Sequence, residues 1–205
     1  MTWVHNPVMF VLDPGWTSAL PDDLPPMPSL VSREAWQAKP GNAALMKRHR
    51  IRSITLHHTG TAQRPDLSLE RKLFNLQLFS QREDQLAGGR TKPAWGDVPY
   101  HFYISTDGRI GVGRELEYAG DTNTSYDPTG HALIVVEGML DSETFYPAQQ
   151  ASLRRLVLAL AARYRVPGNR LGGHKDFAQT DCPGQKIMDE LTWLRRAVRD
   201  MSDRS

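Results

Sequence analysis

Three segments of this chain carry side chains able to hold a metal ion. His57 and His58 are adjacent at the end of an alternating, β-branched run, IRSITLHHTG (51–60). His174 and Cys182 flank a polar loop in GGHKDFAQTDCPG (172–184), and Cys182 is the only cysteine in 205 residues. Zinc accepts imidazole nitrogen and thiolate sulfur together, and a catalytic zinc keeps three protein ligands and one open position. A strand-end histidine with the His174–Cys182 loop supplies such a set. The same residue types also serve as a core thiol and surface imidazoles, and spacing alone leaves both readings open.

These residues need elements to position them. Residues 51–60 read as a strand ending in the polar cluster. DLSLERKLFNLQLFSQRE (66–83) reads as a helix capped by Asp66 or Ser68, with Leu69, Leu73 and Leu76 as its buried stripe. Gly88 and Gly89 begin a loop. VPYHFYISTDGRIGVGRE (98–115) reads as a hairpin turning at Asp107-Gly108. HALIVVEG (131–138) is a buried strand by its apolar run. Leu153, Leu156, Val157, Leu160, Ala161 and Tyr164 mark a helix stopped by Pro167-Gly168. A last amphipathic helix follows, with Ile187, Leu191, Leu194, Val198 and Met201 on one face. The fold class is therefore α/β, a central mixed β-sheet covered by helices in a single domain. Residues 1–29, with Pro7, Pro14, Pro21, Pro25, Pro26 and Pro28, read as an extended arm ahead of a domain over 30–205.

The bulk properties exclude several function classes. A hydrophobic content of 40% supports a proper core. A formal charge of +2 from 25 basic and 23 acidic residues gives no electrostatic case for nucleic acid. No run approaches the roughly 18 apolar residues of a membrane span. The N-terminus lacks a basic start and is interrupted by Pro7 and Pro14, so no signal peptide is visible. A monomer is expected.

LHHTG, PYHFYISTDGRIGVGRE and GGHKDFAQTDCPG, in that order, resemble the type 2 N-acetylmuramoyl-L-alanine amidases, which include the amidase-type phage lysozyme and the peptidoglycan recognition proteins. VSREAW (31–36) resembles the segment that opens recognition-protein domains. The resemblance covers Leu30 to Leu194. It implies a Zn2+ site made by His57, His174 and Cys182. By strand alternation His58 points to the opposite face, so it lines the site or packs nearby. The resemblance places Tyr100 and Thr180 beside the metal as donors to a developing oxyanion. Several bacterial members carry a glutamate on the central strand; here Val135 takes that place, and Glu137 lies two residues on as a candidate proton acceptor. Arg114 is expected to order the neighbouring loop or meet a substrate carboxylate. Trp95 and Asn123, with Asp121, are placed on the groove walls (84–98 and 118–131), and Lys175, Asp176 and Asp181 lie near the metal.

The activity implied is zinc-dependent hydrolysis of the amide between N-acetylmuramic acid and L-alanine in peptidoglycan or muropeptides. It implies action on the cell wall, periplasmic or extracellular, as an endolysin, a secreted toxin or a remodelling enzyme. The alternatives are a recognition module that binds peptidoglycan without cutting it, a hydrolase for another amide, and a protein that docks a partner through its N-terminal arm. Cys182 favours the enzyme, because non-cutting recognition proteins typically lack it.

Overall fold

The computed structural model describes residues 25–86 and 89–203. A six-stranded mixed sheet runs in the order β1-β6-β5-β7-β2-β8. Its strands are β1 (Leu30–Val31), β2 (Ser53–His58), β5 (Phe102–Ile104), β6 (Ile110–Val112), β7 (His131–Val136) and β8 (Leu171–Gly173). Only β5 and β6 are antiparallel, as the hairpin reading expects; β2 lies parallel to both β7 and β8. A two-stranded ribbon, β3 (Asp84–Gln85) with β4 (Thr91–Lys92), occupies part of the expected 84–98 loop. Among the described residues the α-helices are α1 (Leu69–Ser80), α2 (Pro147–Tyr164) and α3 (Gln185–Ser202). None of the described helices is long and apolar enough to cross a membrane. Ser68, not Asp66, caps α1: its hydroxyl accepts from the Arg71 amide at 3.3 Å.

Alternation divides the sheet into two faces. Ile54, Leu56, Phe102, Ile104, Ala132, Ile134 and Val136 meet the apolar stripes of α2 and α3. On the other face Tyr103 and Val135 meet Leu69 and Leu73 of α1, with Trp36. Gly111 permits this close approach, since a Cβ there would lie 2.3 Å from Leu73 Cδ1. The residues of β2 on this second face are Ser53, Thr55 and His57, all buried. The arm expected over 1–29 falls mostly outside the described residues, but Met27 packs against the main core.

Buried polar groups lock the loops to this frame. Lys72 Nζ donates to Glu137 at 2.8 Å, and the Arg64 and Thr106 amides donate to the same carboxylate. His101 is fully buried: its Nδ1 accepts from the Leu133 amide at 2.8 Å and its Nε2 donates to the Tyr118 carbonyl at 2.9 Å. His49 likewise accepts from the Gly130 amide and donates to the Leu116 carbonyl. Both rings are neutral with both nitrogens engaged. Burial lowers His49 to about 4 and His101 to about 3.

Two predictions follow from these groups. Lys72→Met leaves the Glu137 carboxylate buried without its cation, and urea denaturation should show a loss of about 3–5 kcal/mol. The depressed histidines make stability complete above about pH 6.5 and steadily lower as the pH falls toward 4. The unfolded chain takes up protons there that the folded chain refuses. Denaturation at about pH 7 and about pH 4.5 should differ by on the order of 2 kcal/mol from His101 alone, and a His101→Gln variant should show a flatter profile.

Candidate metal centre

The register of three parallel strands assembles the site. Leu56 lies opposite Gly173, so His57 and His174 follow side by side at the strand ends. Their rings are tilted at 54° with centroids 4.6 Å apart. The chain turns at His174–Asp176 and returns through Cys182, whose carbonyl accepts from the Lys175 amide at 2.8 Å. Gly173 lets that return pass closely, since a Cβ there would lie 2.9 Å from Pro183 Cδ. Cys182 Sγ then stands 3.6 Å from His57 Nδ1 and accepts from the His58 amide at 3.4 Å. One ligand atom each from His57, His174 and Cys182 can be chosen so that all lie within 4.8 Å of one another.

The chemistry of this set fits a soft-to-borderline divalent cation such as zinc. Burial, followed by the neighbouring His174, pushes His57 well below its ordinary range, and burial lowers His174 to about 4. Both imidazoles are therefore neutral at physiological pH, with lone pairs free to ligate. Burial raises the Cys182 thiol to about 12, against the pull of the His58 amide. A cation bound here would reverse that and hold a thiolate.

Tyr100 stands beside the set, its ring centroid 5.2 Å from that of His57. Burial raises its phenol, so it is a proton donor throughout the working pH range. Thr180 Oγ1 accepts from the Cys182 amide at 3.2 Å, which steadies the loop and leaves its own proton to donate.

The other expected residues separate. His58 turns to the helix-covered face, where Nδ1 accepts from the Leu140 amide at 3.3 Å; it packs and does not line the site. Glu137 is 2% exposed, its carboxylate taken by Lys72 and two backbone amides, an arrangement that holds the sheet end in place of a proton-accepting role. Val135, at the place of the family glutamate, is fully buried among apolar neighbours. Arg114 is 1% exposed and donates to the Val98, Asp97 and Ala119 carbonyls and to Asp121; it orders the loop and is out of reach of a substrate carboxylate. Trp95 is half-buried against Lys92, whose Nζ lies 4.4 Å from its ring centroid, so it packs. Asn123 is exposed on the 118–131 loop. Asp176 accepts from the Gly173 amide and pairs with Arg195.

Sequence reasoning missed the residues of the 118–131 loop that reach the site. Thr124 Oγ1 is 2.8 Å from His174 Nε2, and Tyr126 Oη is 3.5 Å from His57 Nε2. Tyr126 stacks on Phe177, 5.7 Å between centroids, and Phe177 meets His131 edge-on at 5.0 Å. The signal was the density of hydroxyl-bearing residues in this run, Thr122, Thr124 and Tyr126, which the bends at 123–126 bring to the site.

The endolysin of Enterobacteria phage T3 is 34% identical over 114 residues, 54% of this chain and 72% of the endolysin. Peptidoglycan recognition protein 1 of Mus musculus is 26% identical over 161 residues, 77% of this chain and 83% of that protein. Among solved structures, the endolysin N-acetylmuramoyl-L-alanine amidase LysCS from Clostridium intestinale URNW superposes with a TM-score of 0.62 at 25% identity, covering 82% of this chain and 96% of its own. A family model described as N-acetylmuramoyl-L-alanine amidase matches residues 47–185, a span that contains His57, His174, Cys182, Tyr100 and Thr180. That match spans well over half of the 205 residues, and the chain belongs to the N-acetylmuramoyl-L-alanine amidase family.

Proposed function

We infer that this protein hydrolyses the amide between the lactyl group of N-acetylmuramic acid and L-alanine in peptidoglycan, with zinc held by His57, His174 and Cys182. The observation that carries the reading is the convergence of two neutral imidazoles and one thiol within 4.8 Å at the end of the sheet. When bound, zinc supplies Lewis-acid chemistry, polarising the carbonyl and making water acidic enough to attack near neutral pH.

The chain's own groups do the rest. Tyr100 presents a phenol kept protonated by burial, a hydrogen-bond donor for the carbonyl oxygen as it gains charge. Thr180 adds a second, neutral donor from the Cys182 loop. Tyr126 and the 41%-exposed Phe177 form an aromatic shelf beside His174 that suits the apolar face of a sugar ring. Asn123, exposed on the same loop, is placed to meet the stem peptide. With Glu137 committed to Lys72 and Val135 apolar, neither strand position supplies a carboxylate for the departing amine. A recognition protein without hydrolytic activity is the second reading, favoured by the likeness to the mouse protein and opposed by Cys182.

Digestion of purified muropeptides followed by mass spectrometry tests the reading. Wild type should release free stem peptide, and chelation or Cys182→Ala should remove that activity. Tyr100→Phe should lower kcat by about 10²–10³-fold, the cost of losing one oxyanion donor. A metal-loaded wild type that binds muropeptide and leaves it intact would establish the recognition module instead.

A further inference from the structure

Two hydroxyls of the 118–131 loop sit on the outer edges of the two histidines. Thr124 Oγ1 is 2.8 Å from His174 Nε2 and Tyr126 Oη is 3.5 Å from His57 Nε2. The other nitrogen of His57, Nδ1, faces Cys182 Sγ at 3.6 Å. An imidazole that ligates through one nitrogen carries its proton on the other, and a partner for that N–H fixes both tautomer and ring plane.

We propose that Thr124 and Tyr126 are the positioning residues of the metal site, accepting the Nε2 protons of His174 and His57 and so leaving both Nδ1 lone pairs for the cation. This rests on the metal-binding part of the amidase reading. The hydrogen-bond directions are consistent with it. Thr124 Oγ1 is also 2.8 Å from Thr122 Oγ1, and the Thr124 amide donates to that same oxygen at 3.1 Å. Thr122 Oγ1 has lone pairs for both the Thr124 amide and the Thr124 hydroxyl; with that hydroxyl as donor, Thr124 keeps a lone pair for His174.

Tyr126 is held by its ring. It stacks on Phe177 and meets His131 edge-on at 5.8 Å, and His131 Nδ1 is itself 2.7 Å from Thr55 Oγ1 of β2. The strand that carries His57 thus also anchors the tyrosine beside it. At 3.5 Å the Tyr126 contact is near the outer limit of a hydrogen bond. Thr124 accordingly carries the larger effect.

The test is metal binding by the full chain, independent of hydrolysis. Co2+ titrated into metal-free protein should give a sulfur-to-cobalt charge-transfer band that Cys182→Ala lacks. Zn2+ affinity is read by competition with a chromophoric chelator. Thr124→Val, which keeps the side-chain shape, should bind either ion about 10-fold more weakly and with an altered cobalt d–d spectrum. Tyr126→Phe should show a smaller shift in the same direction, and Thr124→Ser should restore wild-type binding. Urea denaturation of the metal-free variants checks that each is folded; if Thr124→Val is not, Thr124→Ala and Tyr126→Phe carry the same expectation. Hydroxyl-free variants with wild-type affinity and spectrum would overturn the proposal and leave the amidase reading standing. A folded wild type that takes up neither ion would overturn both.

Discussion

The parallel pairing of β2 with β8 in a single register is the constraint on which this molecule's chemistry depends. Leu56 opposite Gly173 sets His57 beside His174, and the short turn after β8 brings Cys182 back to the same point. A slip of one residue would send His57 to the helix-covered face and His58 to the other, because side chains alternate along a strand. The register is protected against that slip by burial: Ile54 and Leu56 belong to the core against α2 and α3, and a one-residue shift would turn both away from it. Helix packing on one face thereby determines ligand geometry on the other.

Much of this was legible in the sequence, for identifiable reasons. Alternation in IRSITLHHTG predicted opposite faces for His57 and His58, and the structure separates them, one toward Cys182 and one toward Leu140. The three helices were legible because each carries an apolar stripe of helical period. β8 was not. Leu171, Gly172 and Gly173 have little strand preference of their own, and their pairing is imposed by β2 and by α3 packing around them. The fates of Glu137 and Arg114 were hidden for a different reason. Each is a charged residue near a strand end whose partner, Lys72 or Asp121, comes from another segment, and sequence alone does not show that a charge is already satisfied.

The 118–131 loop is an irregular segment held at both ends. It has no regular secondary structure until β7 begins, yet backbone groups at its start and end are bonded by the side chains of Arg114, His101 and His49. Those ties position the two ends of the segment that carries Thr124 and Tyr126. The same groups couple the wall to acidity, since protonating either histidine ring sets a new N–H against a backbone amide.

The raised thiol of Cys182 has a consequence for the protein before any ion arrives. A thiol titrating at about 12 is almost wholly protonated at neutral pH. Alkylation, disulfide exchange and peroxide attack all require the thiolate. Without a cation the molecule therefore carries its one thiol in a chemically quiet form. A cation bound by His57, His174 and Cys182 would hold the same sulfur as a thiolate.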